Sequence, residues 1–366
     1  MKNCIYVLII LFGSGIFPMQ ARAGENITIA AVGDIMMGTN YPKDLLPPNN
    51  GKGIFDLVKT HLKNNDIVFG NLEGPLTFSE DQTKCRDENE NCFAFRTPPG
   101  YVDHLKRAGF NVMNIANNHT ADFGYEGIES TVYSLSASDI EPVGGTHIAV
   151  MKVRGKKIAI VGFSYMPVSE HSYSINNIVK AKEIVNELKG SNDIVIVSFH
   201  GGAEGKKALH ITGEEESFLG EDRGNVMEFS HSVIDAGADL VLGHGPHVLR
   251  AIEIYRGKLI VYSLGNFLVY ERFNIDGESG ISMILKTKLD PESGDFVDGE
   301  IIPVKVVDKG IPMIDNKKMA IDLVKKLTAE DFTLPGVSIA ANGPLKSDDR
   351  KKKEVASVKQ KESAAQ

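Results

Sequence analysis

Cysteine is scarce in this chain, with three residues among 366. Only Cys85 and Cys92 lie close together, and two thiolates make half of a four-ligand zinc site. Basic residues are not in excess: 40 Lys and Arg face 48 Asp and Glu, a formal charge of −8, which argues against a nucleic-acid-binding surface. After the apolar run Ile5–Phe17 no segment reaches the roughly 20 residues that a membrane-spanning helix needs. No internal repeat is present. What remains is ordinary globular composition, 42% hydrophobic and 24% charged, with enough chain for one large α/β domain or two small ones.

The charge is unevenly placed. The first 23 residues carry +2 and residues 337–366 carry +3, so residues 24–336 hold −13. An acidic body of this kind suits metal cations better than unaided polyanions. Met1–Ala23 reads as a secretory signal, with Lys2 before the apolar run and small residues at Ala21 and Ala23. Cleavage after Ala23 would leave an exported chain, periplasmic or at the cell surface. In that oxidising setting Cys85 and Cys92 are expected to pair as a disulfide. Residues 311–336 read as a C-terminal extension, and residues 337–366, with Arg350-Lys351-Lys352-Lys353, as a disordered tail. Such a charge run is usually solvated; peripheral attraction to an anionic membrane or polymer is the lesser reading.

Residues 24–310 alternate short apolar runs with amphipathic stretches. Strands are expected at Ile27–Val32, Asp66–Gly70, Val112–Ala116, Ile148–Val153, Lys157–Phe163, Asp193–Phe199, Leu240–Gly243 and Leu259–Ser263. Helical spacing appears in Ile54–Lys63, Gly100–Ala108, Tyr125–Ser138, Asn177–Leu188, Val226–Ala236 and Lys317–Leu327. Arg154-Gly155-Lys156 and Arg256-Gly257-Lys258 look like hairpin turns. The alternation predicts a layered α/β domain with some antiparallel hairpins.

Polar residues able to bind metal follow five of these strands: Asp34, Glu73, Asn118 with His119, His200, and His244 with His247. Singly, each is better read as a cap, a turn or a hydrogen-bonded residue. Together they stand where ligands bind in α/β sheets, beyond the carboxyl ends of strands. Imidazole, carboxylate and amide oxygen suit a divalent Mn, Zn or Fe rather than an all-oxygen calcium site.

These motifs carry a resemblance. Gly33-Asp34, Asn71-Leu72-Glu73-Gly74, Phe95-Arg96-Thr97-Pro98, Ala116-Asn117-Asn118-His119, Phe199-His200, Gly243-His244-Gly245-Pro246-His247 and Tyr262-Ser263-Leu264-Gly265-Asn266-Phe267 resemble the poly-γ-glutamate capsule synthesis protein family (CapA type). That family is similar to calcineurin-like metallophosphoesterases. The resemblance implies a metallophosphoesterase-like four-layer sandwich, two mixed β-sheets flanked by helices, with a metal centre at the sheet edge.

Carried over residue by residue, the resemblance implies one metal held by Glu73, Asn118, His200 and His244. A second would be held by Asp34, Glu73 and His247, but Met36 stands where a further His is expected, so this site is expected to be depleted. His119 becomes the acid or base, with Asp34 beside the chemistry. Arg96 and Asn266 are candidate substrate contacts, and Arg96 and Arg250 could offset the acidic body.

The function so implied is an extracytoplasmic component of poly-γ-glutamate capsule biosynthesis or export. Its partner would be an anionic envelope polymer or the membrane synthase complex that makes it. Two other readings stand beside it: a stand-alone metal-dependent hydrolase of an envelope phosphoester or amide, and a polymer-binding module without turnover.

Overall fold

Strand Ile27–Met36 divides its side chains between two apolar layers. Ile27, Ile29 and Ala31 point into one buried cluster, and Ala30, Val32 and Ile35 into another. That is the two-residue period of a strand covered on both faces. The computed structural model describes residues 24–81, 84–85 and 92–348. The signal reading of residues 1–23 lies outside them. No helix among the described residues is long and apolar enough to cross a membrane.

Two mixed sheets face each other. The first has ten strands, in the order Val337–Ile339, Pro344–Ser347, Phe296–Val307, Ile281–Leu289, Ile27–Met36, Ile67–Leu72, Val112–Asn114 and Glu141–Val143, with Asn266–Val269 and Ile311–Ile314 paired at its sides. The second has seven, in the order Ile252–Tyr255, Lys258–Val261, Leu240–His244, Ile194–His200, Lys156–Ser164 and Ala149–Val153, with Tyr173–Ser174 alongside. Their facing sides share one core, in which Ile29 and Phe69 of the first sheet meet Ile196 and Leu242 of the second. Helices Val102–Ala108 and Gly124–Ala137 cover the outer face of the ten-stranded sheet through Leu105 and Leu135. Helices Ile178–Ser191 and Val226–Asp235 cover the other outer face through Val185 and Phe229. The order helix, sheet, sheet, helix is the expected four-layer α/β sandwich.

Both expected hairpins form. Arg154 and Gly155 (φ 50° and 86°), like Arg256 and Gly257 (51° and 85°), take the left-handed pair of a tight two-residue turn.

The expected end of the domain needs correction. The chain does not divide at residue 310 into a body, an extension and a tail. Strand Ile311–Ile314 and helix Met319–Asp331 belong to the sandwich, and Ala320, Ile321 and Val324 lie in the inter-sheet core. Residues Val337–Ser347 are not disordered. Their two strands extend the ten-stranded sheet and bury Val337, Ile339 and Leu345 in the same core. Three apolar side chains in an otherwise polar segment are enough once a neighbouring edge is there to pair with. The tail reading of residues 349–366 lies outside the described residues.

Candidate metal centre

The carboxyl ends of both parallel strand pairs converge on one point. In the first sheet Ile27–Met36 runs parallel to Ile67–Leu72, with Asp34 beside Asn71, and Glu73 follows directly. In the second, Leu240–His244 runs parallel to Ile194–His200 and sets His244 beside His200. Asp34 owes its depth to Gly33: a Cβ at that glycine would stand 1.8 Å from the Gly265 carbonyl oxygen, against which the chain is packed. The loop after His244 folds back through Gly245 (φ 110°) and His247 (φ 58°). A left-handed histidine is an uncommon conformation, here imposed where the imidazole meets the carboxylates.

Asp34, Glu73, His200 and His244 are fully buried. Asp34 Oδ2 lies 3.0 Å from His247 Nδ1, and Asp34 Oδ1 lies 3.4 Å from His244 Nδ1. Glu73 Oε1 is 3.6 Å from His247 Nε2 and 3.9 Å from His200 Nε2. Ligand atoms of Asp34, Glu73 and His247 fall within 4.8 Å of one another.

Several buried atoms here make no hydrogen bond: Glu73 Oε1 and Oε2, Asn118 Oδ1, His200 Nε2 and His244 Nε2. Buried polar atoms in folded proteins are normally paired, since leaving one unpaired costs about 1–3 kcal/mol. Carboxylate, amide oxygen and imidazole left open are donor types suited to Mn, Fe or Zn, and among the described acidic, His and Cys side chains those of Asp34, Glu73 and His247 are brought within reach of one ion. The residues present therefore fit a divalent cation. Met36 does not contribute, because it is buried with its sulfur accepting from the Gly38 N–H at 3.2 Å.

The electrostatics agree with a cation site. Burial raises the Asp34 carboxyl, but the imidazoles of His244 and His247 beside it outweigh this and hold the group well below the usual carboxylate range. Burial pushes Glu73 well up, and Asp34 and Glu204 reinforce it against the opposing His247. Burial opposes charge on His247, yet Glu73, Asp34 and Glu204 outweigh it and push its pKa up to about 10. Burial keeps His200 neutral, well below the ordinary imidazole value.

A cleft of about 1190 Å³ opens above the cluster, lined by Lys84, His119, His247, Asn266, Arg272 and Phe273 among others. His119 stands at its wall with Nδ1 2.8 Å from Asp122 Oδ2. Lys84 Nζ lies 3.0 Å from the Asn118 carbonyl oxygen and 3.4 Å from Asp122 Oδ1. Asn266 lines the same cleft and donates to the Ser279 carbonyl oxygen, while its Oδ1 is buried and unpaired. The disulfide Cys85–Cys92 is formed.

Two arginines go elsewhere. Arg96 donates to Asn40 Oδ1 and the Ser79 carbonyl oxygen and lies over Tyr41 and Phe123, so it is spent on structure away from the cleft. Arg250 is fully buried and grips both Glu216 oxygens, at 2.8 and 2.7 Å. Neither is placed to meet a substrate.

Asn71, Asp122, Glu204 and Arg223 are among the site residues with no role assigned from sequence. Asn71 donates to Asp34 Oδ1 at 2.8 Å, lies 3.3 Å from His200 Nδ1, and accepts from the side chains of Asn114 and Asn117. It orients ligands of both sheets. Asp122 was signalled only by its spacing of three from His119, and Glu204 and Arg223 by nothing local.

Residues 28–271 match the family described as bacterial capsule synthesis protein PGA_cap. The chain is 31% identical over 269 residues to the capsule biosynthesis protein CapA of Bacillus anthracis, a match covering 69% of this chain and 62% of that protein. It is 29% identical over 283 residues to the PGA biosynthesis protein CapA of Bacillus subtilis, covering 72% of this chain and 70% of that one. Among solved structures, a phosphatase of Mycoplasma pneumoniae aligns over 82% of this chain and all of that chain, at 13% identity and a TM-score of 0.48. This protein belongs to the bacterial capsule synthesis family PGA_cap.

Proposed function

We propose that this chain acts outside the cytoplasm in poly-γ-glutamate capsule synthesis, as a metal-dependent hydrolase of an anionic envelope polymer. The observation that carries the enzymatic part is the set of open, buried donors on Glu73, Asn118, His200 and His244 beneath a cleft. Those four residues would hold one cation, and Asp34, Glu73 and His247 would take part in a second site. The capsule role rests on membership of the family and on the names of the two Bacillus relatives. The partner so implied is the synthase complex, with the polymer as ligand.

A divalent cation bound there supplies Lewis acidity and eases deprotonation of water near neutral pH. The chain's own residues do the rest. Asp122 fixes the His119 ring through Nδ1, which leaves Nε2 for proton transfer at the cleft wall. The cleft lining mixes Lys84, Lys206, Lys207 and Arg272 with Glu204, Glu221, Asp276 and Glu278, and the basic members would be the contacts for a polyanion over the buried donors. Asn71 holds Asp34 and His200 in register.

The test is turnover by the purified protein of poly-γ-glutamate and of a generic phosphodiester, with Mn and Zn added separately. Metal-dependent cleavage that His244→Ala abolishes is expected. Tight metal binding without turnover of either would leave a polymer-binding module. A deletion strain that still made normal capsule would remove the capsule role.

A further inference from the structure

Of the basic side chains that line the cleft, two are already paired with acids. Lys84 meets Asp122, and Arg223 meets Glu204 and Glu221. Lys206 and Lys207 are exposed to solvent. Arg272 differs from all four. Its guanidinium carbon lies 5.2 Å from the centroid of the Phe93 ring, so the head of this long side chain is held in place. Yet no carboxylate of the described residues pairs with it, and its Nε is buried without a hydrogen-bond partner. Buried N–H groups are normally satisfied, so an open one on an anchored cation in a cleft marks a place for a ligand oxygen.

The chain places Arg272 next to the chemistry. Its neighbour Phe273 packs edge-on to the His247 ring, with centroids 4.9 Å apart. The same ring lies 5.4 Å from that of Phe95, which covers His119. Arg272 therefore stands one residue from a side chain that touches both the metal centre and the acid or base. A planar guanidinium carries one delocalised charge and a fork of N–H donors, which matches the single charge and two oxygens of a carboxylate. Phe93, Phe218, Leu219 and Phe273 in the same lining suit the methylene groups that separate carboxylates along a polymer. Glu221, Asp276 and Glu278, also in the lining, weigh against a ligand of higher charge density.

We propose that Arg272, held over Phe93, is a specificity-determining residue of the cleft: it binds a free α-carboxylate of a γ-linked glutamate polymer and so fixes which part of the polymer lies over the metal centre. The inference rests on the cleft being the polymer site, as argued above. It concerns recognition, and it holds whether or not the polymer is hydrolysed there.

The experiment measures binding of a fluorescently labelled γ-linked glutamate oligomer to the purified full-length protein by anisotropy. Arg272→Gln should bind it about 10–100-fold more weakly than wild type, the loss expected when a charge-assisted pair of hydrogen bonds is removed. Arg272→Lys keeps the charge without the fork, and should stay nearer to Arg272→Gln than to wild type. Lys207→Gln, at an exposed and unanchored position, should bind within about twofold of wild type. Unlabelled γ-glutamate oligomer should displace the label from wild type better than polyphosphate of equal length, and Arg272→Gln should lose that preference. Arg272 takes no part in an ion pair of the described residues, so Arg272→Gln should melt with wild type. Undiminished binding by Arg272→Gln, full rescue by Arg272→Lys, or equal displacement of wild type by polyphosphate would overturn the role of Arg272 alone. A wild type that binds no oligomer would overturn the cleft as the polymer site, and the role of Arg272 with it.

Discussion

Phe95 lies on the ring of His119 with centroids 4.2 Å apart and the planes inclined by 29°. Its backbone N–H donates at 2.8 Å to the same Asp122 oxygen that holds His119. Cys92 stands three residues before Phe95, and Lys84, which reaches Asp122 from the other side, precedes Cys85. The disulfide thus ties together the two segments that press on His119.

Replacing both cysteines with serine should therefore cost about 2.5 kcal/mol, the chain-entropy value for so short a loop. Urea unfolding of wild type and the double variant measures it. Thiol labelling of the native, unreduced protein with peptide mapping should find neither Cys85 nor Cys92 reactive, and two labelled thiols would contradict the pairing.

Arg250 anchors the loop that carries Glu204. Its Nη2 donates to the Ala203 carbonyl oxygen at 3.0 Å, and Glu216 accepts from the Ala203 N–H at 2.8 Å. Removing one partner of a buried ion pair leaves an uncompensated charge and typically costs about 3–5 kcal/mol. Arg250→Ala should fall in that range by chemical denaturation. A change of a few tenths would show that the pair contributes little to holding the loop.

The sequence disclosed most of the inner frame and much less of the rim. Strands such as Ile194–His200 are Ile/Val runs covered on both faces, so apolar content alone marks them. Phe296–Val307 is missed because one of its faces is partly open and it contains Gly299 and Pro303, which read as loop. Among site residues, those following the inner strands are visible because a polar residue after an apolar run stands out. Glu204 and Arg223 are not. Glu204 lies on the loop after Ile194–His200 and Arg223 on the short strand Glu221–Gly224, and nothing in their neighbours distinguishes them from solvated charges.

Asp66 offers a pH test away from the metal centre. Burial raises its pKa, but hydrogen bonds from Arg154 and from the Thr28 N–H and hydroxyl outweigh it and lower the group below its usual 3.8. A depressed carboxylate stabilises the fold above its unfolded-state pKa and loses that contribution as pH falls through the folded one. Asp66→Asn should thus be less stable than wild type by about 1 kcal/mol at neutral pH. The gap should narrow below about pH 4. A gap that does not vary with pH would assign the loss to packing instead.

The last test concerns residues 337–347. Leu345 is fully buried in the core between the sheets, with Val337 and Ile339 exposed by only 4% and 8%. The backbone of this segment closes the ladder onto Asp298, Gly299 and Glu300. Truncation after Gly336 removes all three side chains and uncovers the flank of Phe296–Val307. Each buried aliphatic residue contributes about 1.5–3 kcal/mol, so the loss should reach several kcal/mol and lower the melting temperature by several degrees. Leu345→Ala isolates one part of this and should cost about 2–5 kcal/mol. If both variants melt with wild type, the segment is not docked and the ten-stranded sheet ends at Phe296–Val307.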